Sequence, residues 1–243
     1  MKNINAPMFT IAIVSYNAED TIRDTLNSII RFRGSNAELI VVDGCSTDST
    51  TDILESYSEH IDMLICEPDN GIYDAMNKCV DIARGQWLIF IGADDKLCID
   101  LNSLTNHTTD PDISYYGNAY FINKCSYYGG KFNKIKIFYR NICHQSIFYS
   151  KSFYKNEYYN LDYPIRADHV YNMKLILSGK AEHIDMCISH YNDAGISSIN
   201  ADSNFQKKRW EVYCSLAPKR YIYVVWFFKL LSKVVKFFRY ERS

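Results

Sequence analysis

The sequence predicts an α/β fold built on a mixed, mostly parallel central sheet flanked by helices. Three observations carry this expectation. Short β-rich runs alternate with amphipathic helical stretches through the first hundred residues, the order of a parallel sheet covered on both faces. Each run ends in carboxylates or small polar groups, at the strand ends where such sheets bind ligands. The chain has 243 residues, 47% hydrophobic and 23% charged, enough for one large globular unit and unlike a disordered or fibrous chain.

The elements follow in order. "MFTIAIV" (8–14) reads as a first strand ending at "SYNAED". Residues 21–32 place apolar side chains at 22, 26, 29 and 30, a helical stripe. "ELIVVD" (38–43) is a second strand, followed by a helix from Asp48 to about Ser58 that Ser46 or Thr47 can cap. "DMLICE" (62–67) is a third strand, 71–84 an amphipathic helix, and "QWLIFI" (86–91) a fourth strand. After Asp95 the pattern changes. Residues 112–122 and 124–139 read as an antiparallel pair turning at "NKCS". A helix over 166–180 ends at Gly179, a strand covers 181–191, a helix covers 202–217, and Pro218 opens a last one.

Net charge is −1, which gives no pull toward nucleic acid. The charge is uneven, however. Residues 219–243 hold seven Lys/Arg against one Glu, so this basic tail leaves an acidic body at −7. Lys229, Lys233, Lys236 and Arg239 form one stripe on a helix otherwise filled with Val, Phe, Leu and Trp. That pattern describes a helix lying in a membrane surface, with docking on the protein or on a second copy as the alternative. The eight cysteines show no CxxC or Cys/His zinc spacing and read as reduced core residues, Cys66, Cys79 and Cys187 among them. No signal peptide is expected at the N-terminus, and no run reaches the ~20 apolar residues that span a bilayer.

The chemistry concentrates in "QWLIFIGADDK" (86–96). An apolar strand ends in a glycine and two adjacent carboxylates, Asp94 and Asp95, whose repulsion requires compensation. A divalent cation held by one or two carboxylates and phosphate oxygens would supply it. The ordered set "VSYN" (14–17), "VVDGCSTDST" (41–50), "EPDNGIYDAMNKC" (67–79), "GADD" (92–95) and "ADH" (167–169) resembles glycosyltransferase family 2, enzymes of the Rossmann-like GT-A fold. The resemblance covers residues 8 to about 200.

It implies an inverting, metal-dependent transfer of a sugar from a nucleotide-sugar donor, expected to be a UDP-sugar, to a glycan or lipid-linked glycan acceptor. The setting it implies is surface polysaccharide synthesis at the inner face of the cytoplasmic membrane. Under it Tyr16 stacks on the nucleobase, Asp43 hydrogen-bonds to it, and Ser15, Asn17 and Glu19 also bind the nucleotide-sugar. Asp94 touches ribose or metal, Asp95 binds Mn²⁺ or Mg²⁺, and Asp168 is the catalytic base. Asn77 and Lys78 either reach the nucleotide or form a solvated helix face. "QKKRW" (206–210) matches a motif of processive synthases in the family, so Arg209 and Trp210 either contact substrate or belong to an ordinary amphipathic helix. Cys45 and Ser49 depart from the smaller residues common there. His144 and His190 are structural, supporting donors or extra metal ligands. The domain expectation is a transferase unit over 1–217, with a nucleotide half (8–98) and an acceptor half (99–217), then a basic helix over 218–243 that contacts membrane through 219–240. Alternatives are a non-catalytic nucleotide-sugar-binding or membrane-scaffold protein, or a sugar nucleotidyltransferase.

Overall fold

A computed structural model of the chain describes residues 6–194, 202–227 and 230. A first parallel layer is formed by β1 (Phe9–Ser15), β2 (Ala37–Asp43), β3 (Met63–Cys66) and β4 (Trp87–Gly92), in the order β3-β2-β1-β4. The sheet continues through β8 (Ile147–Ser150), β6 (Ser114–Phe121), β9 (Ala181–Tyr191) and β5 (Lys96–Leu97), with β7 (Ser126–Tyr128) beside β6. β4 to β8 and β8 to β6 are antiparallel, while β6 and β9 run parallel, so the sheet is mixed as expected.

Period two explains the layering. Ile11, Ile13, Leu39, Val41, Ile89 and Ile91 face one core, packed by α1 (Ile22–Phe32) and α2 (Thr50–Ser56). Ala12, Ile40, Val42, Leu88 and Phe90 face the other, packed by α3 (Ile72–Ile82), α6 (Ala167–Ser178) and α7 (Ser203–Leu216). Central strands buried on both faces read as unbroken apolar runs, which is why the sequence exposes them. Gly179 ends α6 in the left-handed conformation, φ 79°, as expected of a C-cap.

Several expectations need correction. α2 starts after Ser49, because Ser46 and Thr47 are used in the loop instead: Ser46 bonds to Asp43, and Thr47 N donates to Asn17 Oδ1. The second strand of the antiparallel pair is only three residues long; 129–146 is mostly loop with two short 3₁₀ turns. β8, and the short helices α4 (Leu101–Leu104) and α5 (Lys151–Tyr154), fall outside the expected elements. β8 is a four-residue apolar run, too short for periodicity to assign. Cys79 is buried, but Cys66 is exposed on the edge strand β3, and Cys187 is only partly buried.

Residues 219–227 are helical. Val225 is buried and its carbonyl accepts from Tyr139 Oη at 2.8 Å, docking the helix on the body. Tyr223, Trp226, Phe227 and Leu230, one helical stripe, are exposed. The expected basic stripe of Lys229, Lys233, Lys236 and Arg239 lies outside the described residues. No helix among the described residues is long and apolar enough to cross a membrane.

Candidate active site

The site lies beyond the carboxyl ends of β1, β2 and β4, which pair in register: Ser15 stands beside Asp43, and Val14 beside Gly92. The loops after β1 and β2 are stitched together. Ser15 Oγ donates to Asp43 Oδ2 at 2.8 Å, and Ser46 donates to both Asp43 oxygens at 2.7 Å. Asn17 N donates to Ser46 Oγ at 2.9 Å, and Glu19 accepts from Ser49 N at 2.9 Å. Cys45 takes φ 60°, a conformation that favours glycine. Asp43 is fully buried with both oxygens engaged, so its place is to fix the loop beside the expected base. Ser15, Asn17 and Glu19 serve the same framework.

Tyr16 is the contrast: its ring is 63% exposed above this framework. A Cβ on Gly44 would lie 2.6 Å from Asp69 Oδ2 and 3.4 Å from Tyr16 Cδ2. Glycine therefore lets the Asp69 carboxylate approach the chain next to the tyrosine. Asp69 is a residue that sequence reasoning missed, although it stands in the quoted "EPDN".

The paired carboxylates are held unequally. Asp95 is 1% exposed; Asn192 N donates to its Oδ1 at 2.7 Å and Gln145 Nε2 to its Oδ2 at 2.8 Å. Asp94 is partly exposed and accepts from Asn192 Nδ2 at 3.0 Å. Burial, and then the adjacent Asp94 charge, push the Asp95 carboxyl up to about 7, and burial also raises Asp94. Gly92 also matters to the placement of Asp95. A Cβ there would meet Asp95 Oδ2 at 2.5 Å, so the glycine makes room for the acid. Thr25 Oγ1 of α1 donates to the Ala93 and Asp95 carbonyls at 2.9 and 2.8 Å, bracing the turn.

Asp168 sits in the first turn of α6, where the helix dipole favours its anion. Tyr73 Oη donates to its Oδ1 at 3.1 Å and Asn141 Nδ2 to its Oδ2 at 2.6 Å. His144 Nδ1 lies 3.6 Å from Oδ2. Burial alone would raise this carboxyl, but the adjacent His144 leads the opposing effects and holds it below the usual range. Neighbouring residues thus join the two acid centres: His144 touches Asp168, and Gln145 touches Asp95. Gln145, Asn192, Asn141 and Tyr73 were missed by sequence reasoning; Tyr73 stands in the "GIYDAMNK" motif, and "NICHQS" is a polar interruption between apolar runs that marks the other contact.

The remaining expected residues lie differently. The Asn77 side chain bonds to both Tyr159 backbone groups, at 3.0 and 2.8 Å, stapling that loop. Lys78 pairs with Glu67 at 2.8 Å and with the Pro68 carbonyl, bracing the "EPDN" loop. Arg209 and Trp210 lie on α7, and the Trp210 ring stands edge-on to Tyr213 at 5.7 Å, packed against the core. His190 lies on β9 opposite Lys96, its ring centroid 5.4 Å from that of Tyr120.

Residues 10–177 match the family described as Glycosyl transferase family 2. The chain belongs to this family. It is a glycosyltransferase of the GT-A fold. It is 34% identical over 216 residues to the "PGL/p-HBAD biosynthesis glycosyltransferase" of Mycobacterium bovis, an alignment covering 84% of each protein. It is 30% identical over 121 residues, 48% of this chain and 47% of the relative, to the Escherichia coli "UDP-Glc:alpha-D-GlcNAc-diphosphoundecaprenol beta-1,3-glucosyltransferase WfaP". Among solved structures, Staphylococcus aureus TarS 1–349 in complex with UDP-GlcNAc is similar, with a TM-score of 0.66 and 19% identity. The alignment covers 84% of this glycosyltransferase and 64% of that chain. The Pyrobaculum calidifontis mannosyltransferase PcManGT, in complex with GDP-Man and Mn²⁺, is similar with a TM-score of 0.60, 15% identity, and coverage of 86% and 62%. These two likenesses concern the fold.

Proposed function

We propose that this glycosyltransferase moves a sugar from a nucleotide-sugar donor, a UDP-sugar in the first instance, to a lipid-linked glycan in surface polysaccharide synthesis, with inversion. The carrying observation is the His144–Gln145 step, which joins an acid pair suited to a cation with an ionised acid suited to a base. The donor set fits Mn²⁺ or Mg²⁺: the Asp94 and Asp95 oxygens are hard ligands, and each oxygen engaged in one hydrogen bond keeps a second lone pair. Their raised carboxyls mark a negative pair without full compensation among the protein groups. A cation bound there would neutralise charge on the departing diphosphate.

The chain's own residues do the rest. Tyr16 offers an exposed ring to the base, while Ser15, Asn17, Glu19 and Asp43 hold its loop rigid. Asp168, ionised near neutral pH, accepts the proton of the attacking acceptor hydroxyl. Tyr73 and Asn141 orient its two oxygens. The exposed stripe of Tyr223, Trp226, Phe227 and Leu230 supports seating on the cytoplasmic membrane face, where a lipid-linked acceptor is presented. The name of the WfaP relative, which cites a diphosphoundecaprenol acceptor, points the same way.

Calorimetric titration of UDP tests the donor assignment. Binding is expected with Mn²⁺, lost with EDTA and lost in Asp94→Ala. Failure of UDP, GDP and dTDP alike to bind in the presence of Mn²⁺ would overturn it.

A further inference from the structure

We infer that Cys98, Cys187 and His190 form a binding site for a thiophilic divalent cation such as Zn²⁺, separate from the carboxylate site. β5 and β9 pair antiparallel, Lys96 opposite His190 and Leu97 opposite Ser189, and Cys98 N donates to the Ile188 carbonyl at 3.0 Å. An ordinary strand would turn Cys187 and Ile188 to opposite faces. β9 is irregular here: against β6, its register shifts on both sides of the Asn118–Cys187 pair. Such bulges re-aim side chains. Ile188 enters the core, and Cys187 meets Cys98 with the sulfurs 3.6 Å apart. One ligand atom from each of Cys98, Cys187 and His190 falls within a 4.8 Å cluster.

The spacing suits a metal without rebuilding. Two thiolates on a tetrahedral Zn²⁺, each about 2.3 Å from the ion, stand about 3.8 Å apart. The observed separation is within a few tenths of an ångström of that. All three residues are partly exposed, so an ion can enter and a water can complete four ligands. Donor chemistry separates the two sites. Two sulfurs and an imidazole select Zn²⁺ or Co²⁺, whereas the Asp94/Asp95 oxygens suit Mg²⁺ or Mn²⁺. Loading replaces two thiol protons, which pass to solvent as the metal–sulfur bonds form, so uptake weakens as pH falls. The ion would tie β5 to β9, whose continuation at Asn192 holds both Asp94 and Asp95.

The test uses the full chain, reduced, stripped with EDTA, freed of chelator, and titrated with Co²⁺. The expected result is thiolate-to-cobalt charge-transfer absorption saturating at one ion per chain and displaced by Zn²⁺. It should persist in Asp95→Asn, which removes the carboxylate site, and disappear in Cys98→Ser and Cys187→Ser. His190→Gln, which spares both thiols, should weaken Co²⁺ at least about tenfold and alter the ligand-field bands. No charge transfer in the reduced wild type, or an undiminished band in the folded Cys98→Ser or His190→Gln protein, would overturn the site. Thiol titration of the wild type confirms that its cysteines are reduced during the measurement.

Discussion

Two aspartate centres linked through the His144–Gln145 step, both largely withdrawn from solvent, are pushed in opposite directions. Asp95 meets another carboxylate and neutral amide donors; burial and Asp94 raise it to about 7. Asp168 meets His144, Asn141 and a tyrosine hydroxyl, and is held below its ordinary value despite burial. Burial sets the size of the electrostatic stakes, and the neighbours set their sign. A raised acid pair is poised to take up a cation, and a depressed acid is an anion ready to take up a proton. The fold obtains both from one residue type by placing one at a strand end beside its like and the other at a helix start beside histidine.

The largest expected break is at Asp168, the proposed base. Asp168→Asn keeps the shape but cannot accept the acceptor proton, so turnover should fall on the order of 10²- to 10⁴-fold. Calorimetric UDP binding should be retained; unchanged turnover would remove Asp168 from the chemistry. The other centre breaks through stability. Because the folded carboxyl of Asp95 lies above its unfolded value, its contribution to stability is full below about pH 4 and is lost as pH rises through about 7. Without a cation that contribution is about 4 kcal/mol in all, of which about 3 kcal/mol is lost between pH 5 and pH 8. Urea denaturation at pH 5 and pH 8 should show it. Asp95→Asn should flatten the dependence, and Mn²⁺, which binds the ionised folded state, should restore the wild type at pH 8.

His144→Gln sharpens the comparison, because the histidine acts on both centres. It lowers Asp168 and, less strongly, Asp95. A base with a depressed carboxyl is ionised above that value, so losing His144 should move the acidic limb of the kcat profile to higher pH. A limb that stays in place while turnover drops would reduce His144 to a packing role.

The sequence made the first of these centres easier to find than its supports. β1 to β4 are apolar on both faces and end in polar motifs, so strand, order and site were visible together. The groups that hold the carboxylates were not. Asn192 arrives at the end of β9 and Gln145 from a 3₁₀ turn before β8, and both depend on pairings some 50 to 97 residues apart in sequence. Asp43 and Asn77 were visible as polar motif residues, but only packing revealed their bonds to Ser15, Ser46 and the Tyr159 backbone. The Cys98–Cys187 contact is invisible to spacing because a β-bulge creates it. Local patterns announce which residues can react; long-range pairing decides which of them are free to.

The smallest expected effect tests how finely Asp168 is tuned. Tyr73 Oη lies 3.1 Å from Asp168 Oδ1 and 3.0 Å from the Ile165 carbonyl, so one hydroxyl proton serves two acceptors. Tyr73→Phe leaves Asn141 and His144 in place on the other oxygen. The loss should be about 1 kcal/mol, roughly fivefold in kcat, with KM for the donor little changed. Because the hydroxyl also favours the Asp168 anion, the acidic limb should move the same way as in His144→Gln but less far. Equal shifts in the two variants would mean that hydrogen bonding, rather than the histidine charge, sets the base; no shift in Tyr73→Phe alone would leave the charge as the controlling influence.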